Sequence, residues 1–286
     1  MAEKATHEQE VRREIERFVQ KALGFRREFA DFLWIFLYAC APKSPHLEEA
    51  LKWALTGGGK RLRPLVCLGA TEAVGGSIQE ALPAACAIEL LHTYTLVHDD
   101  LPAMDNDTMR RGKASVWAKF GEANAILAGD ALQALAFQAA AMSSVNAARI
   151  LAKLAAGAYG VVAGQVADLE YQALAADAPQ RKERETLEFI YEHKTGDLLQ
   201  TAAAMGALAG KGRKRAVEWL EEYGMHLGFA FQYEDDRIDG DSPLAPQELE
   251  ALIEKHTCLA LEALRKVHGD TSFLRGLALS LVSRTV

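Results

Sequence analysis

The stretch from Ile78 to Asp100, IQEALPAACAIELLHTYTLVHDD, is apolar on nearly every side of a helix rather than along one stripe. A helix of that kind has to be surrounded by other elements. The rest of the sequence supplies further helices. Alanine is abundant, prolines number only 8, and no β-branched alternating stretch of strand length stands out. Helices are predicted over Glu8–Phe36, Leu47–Thr56, Leu62–Val74, Asn124–Met142, Ala147–Asp168, Glu183–Ala209, Arg213–Asp236 and Pro246–His268, with a short one from Phe273. Glycine pairs and triplets at 57–59 and 75–76 punctuate them. No Pro/Gly/Ser linker or shift in composition divides the chain, so residues 1–286 read as one all-α domain, a large helical bundle.

Half of the 286 residues are hydrophobic, enough for a sizeable core. Asp and Glu (39) outnumber Lys and Arg (32), for a formal charge of −7. That excess argues against a nucleic-acid partner, which needs a basic face. The four cysteines share no CxxC spacing, which argues against a zinc site or a disulfide scaffold and fits a cytoplasmic protein. The first residues are charged and lack an apolar signal core. The run Phe32–Ala41 is too short to span a bilayer, so no stable membrane insertion is expected.

Chemistry concentrates at two places. The helix from Ile78 ends in His98-Asp99-Asp100, followed by Asp105 and Asp107. A second helix ends in Gln232-Tyr233-Glu234-Asp235-Asp236-Arg237-Ile238-Asp239. An isolated Asp pair is usually a solvated turn. Here, however, two acidic groups sit at helix C-termini, where the macrodipole disfavours them, and their carboxylates repel one another. A cation would relieve both costs. Asp235 and Asp239 are i, i+4 and share a helix face. Asp99 and Asp105 do not, unless the chain breaks at Pro102. Oxygen-only ligands suit Mg²⁺ held jointly with substrate phosphates.

Basic residues complement the clusters. Lys60 and Arg63 follow the glycine triplet, Arg110 and Arg111 follow the first acidic cluster, and His193-Lys194-Thr195 supplies a charge and a hydroxyl elsewhere. Arginine suits bidentate phosphate contacts. His92, two turns before Asp99, is by itself more often a satisfied core histidine. Acidic clusters for metal, basic residues for phosphate and an apolar interior together suit a metal-bound diphosphate with an apolar tail.

The motifs GGGKRLRP (57–64), AIELLHTYTLVHDDLPAMDND (87–107), RRGK (110–113), AILAGDAL (125–132), GQVADLE (164–170), HKTGDLL (193–199) and FQYEDDRID (231–239) occur in register. On these residues the chain resembles the short-chain trans-isoprenyl diphosphate synthases, most closely the bacterial farnesyl diphosphate synthase type. The resemblance implies an all-α isoprenoid-synthase fold, a homodimer, and head-to-tail condensation of isopentenyl diphosphate with an allylic diphosphate. It implies three Mg²⁺, replaceable by Mn²⁺. Asp99, Asp100 and Asp105 match the first metal motif, and Asp235, Asp236 and Asp239 the second. Lys60, Arg63, His92 and Arg111 match the isopentenyl diphosphate set; Arg110, Lys194, Thr195 and Gln232 match the allylic set. Tyr94 and Thr95, five and four residues before Asp99, match positions that set product length, and an aromatic at Tyr94 goes with a fifteen-carbon product.

The chain also departs from the pattern. Glu234 and Arg237 stand where the family usually has apolar residues, and Arg237 is expected to compete with Mg²⁺. After Asp239 the family continues with a Lys-containing loop; here the chain runs directly into a helix, with Lys255-His256-Thr257 a poor substitute. The alternatives are a geranyl or geranylgeranyl diphosphate synthase, a weakly active or regulatory synthase-like subunit, a terpene cyclase, and an HD-type phosphohydrolase suggested by His98-Asp99.

Overall fold

The computed structural model describes residues 2–40, 44–177, 184–240 and 242–282. Among them the chain is helical almost throughout, as the sequence implies. The helices are α1 (Ala2–Ala39), α2 (Pro45–Leu55), α3 (Leu62–Ala73), α4 (Ile78–Asp99), α5 (Val116–Phe120), α6 (Glu122–Ala141), α7 (Ala147–Asp177), α8 (Arg184–Ile190), α9 (Asp197–Ala209), α10 (Lys214–Asp239), α11 (Pro246–Arg265) and α12 (Ser272–Val282).

The all-round apolar helix α4 is the central one. It packs against α3, α6 and α9, and its residues 81–91 are buried without a break. Thr71 of α3 donates its hydroxyl to Gly206 of α9 at 2.8 Å, tying two of these neighbours together. A smaller apolar cluster lies beneath the second acidic stretch, where Ile190 and Tyr191 meet Tyr233 of α10 and Leu249, Leu252 and Ile253 of α11.

Three features differ from the sequence expectation. Residues 109–114 form a two-stranded hairpin, β1 (Met109–Arg110) with β2 (Lys113–Ala114). Its loop, Arg111-Gly112, has positive φ at both residues (52° and 77°), the geometry of a tight two-residue hairpin. Strands this short leave no period to read. The helix expected over Glu183–Ala209 is interrupted by a π-helical turn, Tyr191–Gly196, between α8 and α9. Such insertions are set by packing and concentrate at functional sites. Finally, α7 continues past Asp168 to Asp177. The span Ala147–Ala173 is long and apolar enough to cross a membrane, yet α7 packs along α6 and α9.

The link after α10 is short. Gly240 caps the helix in the left-handed region (φ 71°) and α11 opens at Pro246, a favoured first helical residue. Lys255, His256 and Thr257 belong to α11, with His256 and Thr257 buried, so this triplet does not replace a substrate-facing loop.

Candidate active site

The first acidic cluster forms where α4 ends. Asp99 is the last helical residue, and the chain turns so that the Asp105 N–H donates to the Asp99 carbonyl at 2.9 Å. The break at Pro102 thus returns Asp105 to Asp99. Burial raises the Asp99 carboxyl to about pH 7, and Asp105 and Asp100 push it the same way against Lys194 and Arg110. Burial, more than uncompensated charge, is what disfavours the ionised form here, and the oxygens gathered at this helix end are a donor set that a hard cation fits. Among the described residues, no three His, Cys, Asp or Glu side chains close around a point to cage an ion by themselves.

Asp100, expected beside Asp99 as a ligand, is paired through its Oδ1 with Arg110. Its carboxylate is buried and accepts from Arg110 Nε at 2.8 Å and from Nη2, which also reaches Asp107 at 2.9 Å. The hairpin makes this possible by folding Arg110 back over the end of α4.

The second cluster lies on α10. Asp235 is half-buried and Asp239 exposed one turn on, as i, i+4 spacing requires. Asp236 points to the π-helical turn: its Oδ1 accepts from Gln232 Nε2 at 3.0 Å and its Oδ2 from the Tyr191 hydroxyl. Gln232 also accepts from the Thr195 hydroxyl at 2.9 Å. Arg237 does not compete at the acidic mouth. It makes a two-pronged pair with buried Glu234 at 2.9 and 2.7 Å, so the two unusual residues of this motif answer one another.

The π-helical turn bridges the clusters. Lys194 donates to Asp168 of α7 at 2.5 Å. Burial favours its neutral form, but Asp168, Asp105 and Asp99 outweigh that and keep it charged. Gln165, one turn before Asp168, reaches Asp105 at 3.4 Å. Gln165, Asp168 and Tyr191 carry roles that motif matching alone did not assign. Gln165 and Asp168 are spaced i, i+3 within GQVADLE, the signal that could have found them. The turn sits this close to α7 because Gly164 has no side chain; a Cβ there would lie 2.5 Å from the Lys194 backbone nitrogen.

The basic residues form a separate corner between α3, α4 and the hairpin. Arg63 donates to His92 Nε2 at 3.2 Å, so the proton of neutral His92 belongs on Nδ1. Burial, then Arg63 and Arg111, holds the His92 pKa well below its usual value. Burial also lowers Arg63 to about 10, opposed by Glu89. His92 Nδ1 and Arg63 Nε are buried without a hydrogen-bond partner, two donors arranged for an absent acceptor. Arg111 donates to the Gly58 carbonyl at 2.7 Å. Gly59 has φ 112°, and a Cβ on it would lie 2.6 Å from the Arg111 guanidinium carbon, so only glycine fits. Lys60 lies over the Phe231 ring of α10, 5.4 Å from its centre. Beneath the corner, Glu89 pairs with Arg61 in the core.

On α4, Tyr94 is half-buried, packed edge-on against His98 with centroids 4.8 Å apart. Thr95 is buried and donates to the His92 carbonyl at 2.8 Å. His98 turns from the acidic mouth to the Ile126 carbonyl of α6, 3.0 Å away, which removes the basis for an HD-type metal site.

A family model described as polyprenyl synthetase matches residues 44–250. The chain belongs to the polyprenyl synthetase family. It is 45% identical over 204 residues to farnesyl diphosphate synthase of Geobacillus stearothermophilus, covering 68% of this chain and 66% of that protein. It is 44% identical over 205 residues to a chloroplastic geranylgeranyl pyrophosphate synthase of Capsicum annuum, covering 69% of this chain but 54% of that protein. The matched part thus spans between about half and two thirds of the length of these curated relatives. A crystal structure of a geranyltransferase from Legionella pneumophila superposes with a TM-score of 0.85 at 33% identity, covering 95% of this chain and 99% of that one. The all-α architecture is therefore that of the isoprenyl synthases.

Proposed function

We propose that this polyprenyl synthetase is a trans-prenyltransferase that condenses isopentenyl diphosphate with dimethylallyl and then geranyl diphosphate, stopping at farnesyl diphosphate. The observation that carries the reading is the pairing of two separated charge sets across one mouth. Asp99 and Asp105 face Lys194 on one side, while Arg63, His92 and Arg111 form a corner with two orphaned buried donors on the other. A reaction joining two diphosphates needs two anion sites, and a terpene cyclase needs only one.

In this reading Asp99, Asp105, Asp235 and Asp239 would hold divalent cations jointly with substrate phosphates. When bound, Mg²⁺ neutralises charge developing on the departing diphosphate. Lys194 and Arg110 retain donors beyond those given to Asp168, Asp100 and Asp107, and these grip the allylic diphosphate. Thr195 and Gln232, bonded to each other, hold that side of the site in shape. Lys60, Arg63, His92 and Arg111 hold isopentenyl diphosphate with its alkene toward the allylic carbon. The apolar α4 interior excludes water, which would otherwise capture the allylic cation. The proton lost after alkene attack leaves with the released diphosphate, so no side-chain base is required.

Product length rests on Tyr94, whose backbone position lies about 7.5 Å down the α4 axis from Asp99, five residues at about 1.5 Å each. The relatives carry both farnesyl and geranylgeranyl names, so a twenty-carbon product is the competing outcome. A homodimer would cover the apolar side of α6 and α7, where Leu127, Tyr159, Val162 and Val166 are exposed. Incubation with labelled isopentenyl diphosphate and each allylic primer, with and without Mg²⁺, tests the reading through chromatography of dephosphorylated products. Farnesol formed only with metal is expected. No incorporation with any primer would refute it.

A further inference from the structure

The proposal below rests on the reading of the acidic mouth as a metal–diphosphate site. We propose that Tyr191 is a positioning residue for that site: its hydroxyl fixes the second acidic motif so that Asp235 and Asp239, and not Asp236, face the metal. Both oxygens of Asp236 already accept a protein hydrogen bond, Oδ2 from Tyr191 and Oδ1 from Gln232. The carboxylate is therefore held against the π-helical turn. Asp236 therefore acts as a rivet between α10 and that turn.

Several observations make Tyr191 the fixed end of this contact. Its side chain is buried, and its ring meets Tyr233 edge-on, with centroids 5.3 Å apart and planes at 89°. Tyr233 is itself 1% exposed and packs on Phe229 and His256. The ring is thus held by the apolar cluster beneath the second motif, and only the hydroxyl reaches the acidic layer. Tyr191 opens the same turn that carries Lys194 to Asp168 and Thr195 to Gln232. One rigid turn therefore sets the position of the first cluster's counter-charge and of the second cluster's carboxylates together. Nothing in this arrangement requires the Tyr191 hydroxyl for packing, because the ring alone fills the apolar cluster.

The test is calorimetric titration of the full chain with inorganic pyrophosphate, with and without Mg²⁺, for wild type, Tyr191→Phe, Asp236→Asn and the double variant. Tyr191→Phe keeps the ring and removes one charge-assisted hydrogen bond, so Mg²⁺-dependent affinity should fall roughly tenfold. Metal-independent binding, which uses the Arg63 corner, should stay unchanged in all four proteins. In the double variant, Tyr191→Phe should add little to the loss caused by Asp236→Asn. Unchanged Mg²⁺-dependent affinity in Tyr191→Phe, or fully additive losses, would overturn the proposal. So would loss of the fold in Tyr191→Phe, checked by circular dichroism, because the hydroxyl would then be structural. Absence of Mg²⁺-dependent binding in wild type would instead sink the functional reading beneath the proposal, and the wild-type trace alone reveals that case.

Discussion

Replacing Glu89 with Gln should loosen the basic corner from below and make its occupant stabilise it more strongly. Glu89 is 1% exposed and is the carboxylate that offsets Arg61, Arg63 and Arg111. Breaking a buried pair by neutralising one partner typically costs 3–5 kcal/mol. The lower end applies, because Arg61 keeps its bond to the Leu55 carbonyl and its side chain is 17% exposed. A cost of about 3 kcal/mol, divided by an unfolding entropy of about 0.6 kcal/mol/K for 286 residues, lowers Tm by about 5 °C. With Glu89 neutralised, the corner carries unopposed positive charge, so an added anion gains more there than in wild type. Saturation at a hundredfold excess over Kd stabilises wild type by about 2.7 kcal/mol. Thermal unfolding followed by circular dichroism, with and without inorganic pyrophosphate, reads both effects. The variant should melt lower alone and show the larger pyrophosphate shift. A variant as stable as wild type, or one with a smaller shift, would refute the assignment of Glu89 as the corner's counter-charge.

Tyr94→Ala should move the product distribution toward twenty carbons or more, read by chromatography of dephosphorylated products; an active variant with unchanged length would place the floor elsewhere. His256 is held neutral, its pKa lowered to about 4 by burial, then by His226 at 3.2 Å and Lys255 against Glu188. The unfolded chain binds a proton there below about pH 6.5 and the folded chain does not. Stability should therefore fall by about 2 kcal/mol between pH 6.5 and 4, and His256→Phe should flatten that limb in urea titrations. Val162→Asp together with Tyr159→Asp should convert a dimer to monomer on analytical ultracentrifugation, whereas an unchanged sedimentation coefficient would count against the α6–α7 interface.

The layout of helices was readable because α4 and α10 carry strong, opposite signals, one apolar all round and one amphipathic with an acidic end. Asp99 with Asp105 was readable too, since Pro102 dictates a break and a break dictates a return. What could not be read was which charges answer which. Asp100 and Asp99 are chemically identical in sequence, and only the hairpin that swings Arg110 back gives Asp100 its partner. Arg237 looked like a rival to the metal because its partner, Glu234, sits one turn back on α10 and is buried only in the folded chain. The π-helical turn depends on the absent side chain of Gly164, a tertiary fact with no local signature. Tyr191 lay in a helix expected to run straight, and its hydroxyl gained a role only through that turn.

In the proposed reading the two acidic clusters would hold the divalent cations that assist departure of the allylic diphosphate. The most direct measurement is single-turnover transfer of labelled isopentenyl diphosphate to geranyl diphosphate by wild type, Asp99→Asn and Asp235→Asn, each shown by circular dichroism to be folded. Asp105 and Asp100 repel Asp99, so removing its charge should leave stability intact. Transfer should fall at least a hundredfold in both variants, since a loss of about 2.7 kcal/mol or more of charge stabilisation corresponds to that factor. Metal-free binding of isopentenyl diphosphate should be retained, because the Arg63 corner is untouched. Near-normal transfer by either folded variant would contradict the account.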